Sequence, residues 1–455
     1  MSEAEPERAY LVAVDTGGDD GWSAEESLAE LASLVETAGG QVVGSMLQRR
    51  EAIHPLWYVG TGKADELKQA RTATHFDMLV ADDELSPKQQ RSLEEALNVK
   101  VLDRSGIILD IFAQRAHTHE GRIQVELARL EYQLPRLTRM WTHLSRMGGG
   151  IGTRRGPGET QLETDRRVLR ERIKKTRERV EEVRQRRETA ARARERRLLP
   201  TMAIVGYTNA GKSTLLNALV GEEAAVVEDM LFATLDPTTR RVRLREGQMV
   251  IVSDTVGFIH KLPHQLVDAF QATLEEVTRA DVLLEVVDLS DPHAGEHRHT
   301  VQTVLDELGA GHKPKVVVLN KADLVAGDGN RRDSEALPLP GGVGSVVRGQ
   351  GAFGGILGRD DRYAIKVSAQ TGQGISELRE VMANVLAELW AEVDVSLPYS
   401  AGELLARVRE RGTVEFEYRD EDVGITGRVP PSMAGDLRRI AARWERTQRA
   451  RKTTG

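Results

Sequence analysis

The octapeptide G-Y-T-N-A-G-K-S, Gly206–Ser213, constrains this chain more than any other stretch. An apolar run, Thr201–Val205, precedes it, and a helix pattern, Thr214–Val220, follows. A strand that turns through glycines straight into a helix is the phosphate-loop arrangement G-x-x-x-x-G-K-S/T. That context places Gly206, Tyr207, Thr208, Asn209, Ala210 and Gly211 around phosphates, with backbone N–H groups ringed at a helix N-terminus. Lys212 would reach the β- and γ-phosphates, and the Ser213 hydroxyl would ligate a Mg²⁺ bridging them. A loop of this kind belongs at the end of a strand in a parallel sheet, so this part of the chain is expected to be α/β.

Three shorter boxes follow in order. A strand pattern, Met249–Ser253, ends in D-T-V-G: Asp254, Thr255, Val256, Gly257. Asp254 would hold Mg²⁺ through water, and the Gly257 N–H would sense the γ-phosphate. Another strand, Lys315–Leu319, leads into N-K-A-D: Asn320, Lys321, Ala322, Asp323. The Asp323 carboxylate can accept from guanine N1–H and the 2-amino group. Adenine offers no such donor pair and would leave that carboxylate unpaired, the kind of mismatch a polar site rejects strongly. After the strand Tyr363–Val367 comes S-A-Q, Ser368, Ala369 and Gln370, where the Ala369 N–H is expected to donate to guanine O6. Together the boxes describe a GTP site. Between the first two lies M-L-F-A-T-L-D-P-T-T-R, where a threonine should close on Mg²⁺; spacing leaves Thr234, Thr238 and Thr239 open.

Two positions bear on mechanism. The residue after D-x-x-G, which in many GTPases is a water-orienting Gln, is Phe258, whose ring cannot hydrogen-bond a water. The catalytic group is therefore unassigned, and intrinsic hydrolysis should be slow. Asn209 fits two roles equally well, recruitment of K⁺ or stabilisation of the loop turn.

The remainder of the 455 residues frames this site. Four segments are expected: an N-terminal α/β subdomain, 1–118; a basic coiled-coil hairpin, 119–197; the G domain, 198–393; and a small α+β domain, 394–455. In the first, strands at Tyr10–Val14, Val42–Leu47, Met78–Ala81 and Lys100–Leu102 alternate with helix patterns. In the second, Ile123, Leu127, Leu130, Leu134, Leu137, Trp141 and Leu144 form one heptad seam. Leu169, Ile173, Thr176, Val180 and Val183 form another, so the two arms predict an antiparallel helical hairpin, with a kink or break at Pro135. Between them lies a glycine-rich tip, 147–161, with Arg154 and Arg155 at its apex as candidate contacts to phosphates in a confined place.

Charge is segregated the same way. The chain carries a net -7, yet Gln114–Arg197 holds 23 Lys and Arg against 12 Asp and Glu, a net +11 in a chain otherwise at -18. That is an electrostatic footprint for nucleic acid. There is no cysteine, which excludes disulfides and thiol catalysis, and no apolar run long enough to span a membrane. A cytoplasmic protein, monomeric when free, is the expectation. Residues 326–361, with ten glycines and two prolines, read as an insertion beside the guanine box. Val59–Lys63, V-G-T-G-K, is too short for a phosphate loop and reads as a strand–turn–helix junction. His293, His297 and His299 are expected on a surface turn and helix, without metal-ligand spacing.

A basic hairpin tipped with G-G-G-I-G-T-R-R-G-P-G-E-T-Q-L-E before a GTP domain resembles the HflX family of ribosome-associated GTPases. D-I-F-A-Q-R-A-H-T-H-E-G-R-I-Q-V-E-L-A-R-L, Asp110–Leu130, L-F-A-T-L-D-P-T and D-T-V-G-F-I carry the same resemblance, which covers roughly residues 10–390. It implies that Phe232, Ala233, Thr234, Leu235 and Asp236 contact the nucleotide, with Thr234 as the Mg²⁺ ligand. It also implies a GTPase that binds the large ribosomal subunit, splits stalled or idle ribosomes, and sends its hairpin to rRNA near the peptidyl-transferase centre. Two alternatives stand beside it: an RNA-associated GTP switch without splitting activity, and an ATP-dependent RNA remodeller acting through the N-terminal domain.

Overall fold

The computed structural model describes residues 6–17, 22–137, 157–195, 199–221, 231–232, 234–235, 238–244, 248–261, 263, 271–325, 336–338, 345–347, 356–357 and 361–454. Arg154, Arg155, Ala233, Asp236, Trp141, Leu144 and most of the 326–361 insertion lie outside them. The chain divides into two compact units. The first holds Met1–Arg186 with Asp229–Asp236 and Ile259–Ala272; the second holds Arg187–Glu228, Pro237–Phe258 and Thr273–Gly455.

The first unit is built on a four-stranded, wholly parallel sheet in the order β2 (Gln41–Arg49), β1 (Arg8–Asp15), β3 (Met78–Ala81), β4 (Lys100–Asp103). All four β3 residues are buried, as expected for an inner strand covered by helices on both faces. Helix starts are written locally. Ser23 and Glu26 form a capping box for Ala24–Thr37, and Ser86 with Gln89 does the same for Pro87–Leu97, where Pro87 fits the first turn. Val59–Lys63 is the predicted junction: Gly60 precedes the helix Thr61–Thr74 without a side-chain cap.

A buried polar knot ties the carboxyl ends of this sheet together. Arg104 is 1% exposed and pairs with Asp82 and Glu30, both at 2.5 Å, and donates to the Ser27 carbonyl. Lys261 reaches Asp82 and Asp83, each at 2.6 Å, and the His260 carbonyl accepts from Arg104. Burial opposes ionisation of Asp82, but Arg104 and Lys261 outweigh it and hold the carboxyl down at about 2.

The helix His119–Arg136 stops one residue after Pro135, in keeping with the break the sequence predicts there. Leu127, Leu130 and Ile173 form a small cluster with Leu134, Leu169 and Val180, so the two seams do meet. Arg172–Glu126 and Arg177–Glu131 pairs flank it. The second helix corrects the expected tip: it runs Pro157–Glu195, 39 residues, so positions 157–161 are helical rather than loop. Proline at the first helical position supplies a preset φ and loses no intrahelical bond, which outweighs the neighbouring glycine. At 1.5 Å per residue the helix is roughly 58 Å long.

The second unit carries a six-stranded sheet ordered β12 (Tyr363–Lys366), β9 (Lys315–Asn320), β8 (Val282–Asp288), β5 (Thr201–Gly206), β7 (Met249–Asp254), β6 (Thr238–Arg243). Only β6 is antiparallel to its neighbour. Its core joins strand residues such as Ile204, Val252, Leu284 and Val318 to Leu215, Leu216 and Leu219 of the helix Lys212–Val220. Where the chain returns from the insertion into β12, Arg298 clamps Asp361 at 2.6 Å while pairing with buried Glu285. Beyond the helix Ile375–Leu389, an antiparallel sheet of β13 (Ala391–Pro398), β15 (Asp422–Val429) and β14 (Thr413–Tyr418) packs on the helices Gly402–Arg411 and Pro431–Thr454.

Candidate nucleotide site

All four boxes emerge at the carboxyl ends of parallel strands, where open α/β sheets bind ligands. The phosphate loop leaves β5 at Gly206, which has φ 153°; a Cβ there would sit 2.3 Å from the Val286 carbonyl oxygen. Asn209 takes φ 58°, a left-handed conformation that Asn tolerates well, which accounts for an Asn here through the turn. The helix starts at Lys212 behind Gly211, with no side chain capping it, so its first N–H groups face the loop.

Lys212 is buried, and its ammonium donates to the Tyr207 carbonyl at 2.7 Å. Desolvation lowers its pKa to about 8, against the attraction of Asp254. The Ser213 hydroxyl donates to Asp254 Oδ2 at 2.7 Å, and both side chains are buried. A hydroxyl and a carboxylate in contact are hard oxygen donors of the kind Mg²⁺ accepts when phosphates complete its shell. Thr255 donates to the Ile204 carbonyl at 2.6 Å and locks the start of the D-T-V-G box onto β5.

Gly257 lies against the loop: a Cβ would be 2.8 Å from Lys212 Nζ and 2.9 Å from Thr208 Cα. No other residue fits. Phe258 then pairs with the loop backbone, donating to Gly206 O at 3.1 Å and accepting from Thr208 N at 2.8 Å. Its ring is 1% exposed, so it packs in the interior, as its lack of polar atoms requires.

On the base side, Asn320 is buried and makes two links. Its Nδ2 donates to the Ala210 carbonyl at 2.9 Å, and its Oδ1 accepts the Ala369 N–H at 3.0 Å. The sequence reading assigned that N–H to guanine O6; here the Asn320 oxygen holds it, so a base must compete for it. Asp323 is exposed, Lys321 pairs with Asp288 at 2.7 Å, and Ala322 N–H donates to the Val367 carbonyl. Ser368 is fully buried, and its hydroxyl accepts from Thr371 N–H, shaping the turn that carries Ala369 and Gln370.

Phe232, Thr234 and Leu235 belong to the first unit, where Phe232 packs edge-on against Phe112 at 4.7 Å. Sequence reasoning also misplaced one histidine. His297 is not on an open surface; its ring stacks on Tyr207 with centroids 3.9 Å apart. The two residues are far apart in sequence, and no local pattern announces the contact. His299 is exposed, as expected.

Three family descriptions match the chain in order: GTP-binding GTPase N-terminal over residues 25–113, GTP-binding GTPase Middle Region over 115–194, and 50S ribosome-binding GTPase over 201–321. The GTPase HflX of Caldanaerobacter subterraneus subsp. tengcongensis is 43% identical over 435 residues, 95% of this chain and 93% of that one. The GTPase HflX of Escherichia coli K12 is 43% identical over 404 residues, 89% of each chain. Among solved structures, a GTP-binding protein from Sulfolobus solfataricus in complex with GDP is 23% identical, with a TM-score of 0.42, covering 84% of this chain and 99% of that one.

Proposed function

Because this chain belongs to the HflX family of GTPases, we propose that it binds the large ribosomal subunit and uses GTP to split stalled or idle ribosomes. The observation that carries the reading beyond GTP hydrolysis is the charge: a net +11 over Gln114–Arg197 in a chain otherwise acidic, a stretch that takes in all of the helices His119–Arg136 and Pro157–Glu195. RNA phosphate is the complement of such a surface.

In this reading the phosphate loop cradles the β- and γ-phosphates, and Lys212 turns from the Tyr207 carbonyl to them. Ser213, and Asp254 through water, would hold Mg²⁺, which would supply charge neutralisation at the phosphates. Gly257 presents its N–H to the γ-phosphate, and Thr234 is the second side chain assigned to the ion. Asp323 reads the guanine N1–H and 2-amino group, while O6 competes with Asn320 for the Ala369 N–H. Phe258 offers the attacking water nothing, so turnover waits on order imposed by the ribosome. Arg154 and Arg155 make the rRNA contact at the hairpin tip.

Sedimentation of ribosomes with the protein and GTP, a non-hydrolysable GTP analogue, GDP or ATP tests this. Splitting with GTP and with the analogue, and not with GDP or ATP, is the expected result. Subunit binding without splitting would leave a GTP switch; splitting with ATP alone would move the activity to the N-terminal domain.

A further inference from the structure

We propose that His297 is a positioning residue for nucleotide binding, acting through Tyr207, the second residue of the phosphate loop. The two rings lie 3.9 Å apart and 5° from parallel, and Tyr207 is 6% exposed. His297 is held in turn: its Nδ1 lies 3.3 Å from Asp291 Oδ2, while Asp291 Oδ1 accepts the His293 N–H at 2.8 Å. The imidazole therefore sits on a fixed support at the start of the helix Ala294–Glu307.

Tyr207 is engaged through both its ring and its backbone. Its ring stacks on His297, its carbonyl accepts the Lys212 ammonium, and its backbone forms a parallel bridge with Phe258, next to Gly257. A rotation of Tyr207 would move the phosphate-binding lysine and the γ-phosphate sensor together. Behind the loop is a cavity of about 70 Å³, lined by Tyr207, Thr208, Asn209, Asp291 and His297. Thr208 Oγ1 is buried without a hydrogen-bond partner. The stack adds a side-chain hold on Tyr207 to the backbone bonds that Phe258 makes with the loop. Burial lowers the His297 pKa against the pull of Asp291, which favours the neutral ring near neutral pH.

The test uses the full-length chain with His297→Ala, His297→Phe, Tyr207→Ala and the His297→Ala/Tyr207→Ala double variant. The measurements are fluorescent-GDP affinity and release, KM and kcat for GTP, and melting temperature without nucleotide. His297→Ala should weaken GDP by about three- to tenfold, the worth of one aromatic pair, mainly through faster release. It should raise KM more than it lowers kcat. His297→Phe keeps a ring but cannot pair with Asp291, and should restore affinity to within about twofold. The double variant should be no weaker than Tyr207→Ala alone, because the partners share one contact. The proposal is overturned if His297→Ala binds GDP like the parent, if Phe fails to restore affinity, or if the two alanine effects add. A lowered melting temperature with unchanged affinity would reduce His297 to ordinary packing and overturn it as well. Should His297→Ala fail to fold, a His297→Phe variant that folds and binds weakly is also an overturning result.

Discussion

The side chain of Asn320 donates to the carbonyl of Ala210 across 2.9 Å, tying the guanine-side box directly to the phosphate loop. The same side chain accepts from Ala369 at 3.0 Å, so one buried amide spans three boxes that are remote in sequence. A nucleotide bound as proposed would have its base and phosphates read by a single connected frame.

Asn320→Ala should break that frame. It leaves the Ala210 carbonyl and the Ala369 N–H without these partners, at about 1–3 kcal/mol for each buried group. GDP affinity should fall by tenfold or more, with a lower melting temperature for the nucleotide-free protein. Fluorescent-GDP titration and thermal unfolding check both; parent-like values in both would deny Asn320 its linking role.

Lys212 gives a pH signature. Its pKa is lowered to about 8, and phosphates at its ammonium would raise it again. Below pH 8 the lysine already carries its proton, so affinity for GTP should be level. Above that, binding must take up a proton, and affinity should drop by up to tenfold per pH unit. Lys212→Ala should bind GTP weakly and lose the slope. A parent titration that is flat from pH 7 to pH 9.5 contradicts the assignment.

Asp323→Asn should exchange base preference. An amide presents a donor where guanine needs an acceptor, and xanthine carries an oxygen at that position. Competition binding with GTP, XTP and ATP should show GTP weakened by orders of magnitude and XTP improved. Unaltered GTP preference would move base recognition elsewhere.

Asp82→Ala should destabilise the first unit by about 3–5 kcal/mol, because Arg104 would keep a buried charge with one partner fewer. The parent has its own pH dependence here. Asp82 titrates at about 2 when folded, against an ordinary value of 3.8. Its contribution is therefore complete above pH 4 and is lost as the pH falls through 2; by linkage it amounts to about 2–3 kcal/mol. Urea unfolding of parent and variant between pH 2 and pH 6 measures it, and parallel curves would refute it.

Arg154→Ala with Arg155→Ala should leave GTP affinity intact and weaken binding to the large subunit. The salt dependence should flatten by about one to two units of slope if both reach phosphates. Equal affinity and slope would shift the ribosome contact to the helical arms.

The phosphate loop, D-T-V-G and N-K-A-D were legible because each box is short, local and tied to the end of a strand. The capping boxes at Ser23–Glu26 and Ser86–Gln89 are equally local, each spanning four residues. The extent of the helix from Pro157 was not legible: six tip glycines suggested loop, while the decisive signal was one proline at the first turn. The Tyr207–His297 stack was invisible, since two rings ninety positions apart meet only once β5 and β8 are neighbours. The Arg104 knot was hidden likewise, because an arginine in the sequence L-D-R-S reads as surface until Asp82 and Glu30 close around it.

Gly206 faces the Val286 carbonyl with no room for a methyl group. In a saturation library selected for ribosome-dependent fitness, codon 206 should therefore be stripped of all nineteen alternatives, alanine included, while codon 207 keeps its aromatic members. That contrast between adjacent columns would be a genetic imprint of one peptide group pressed against another.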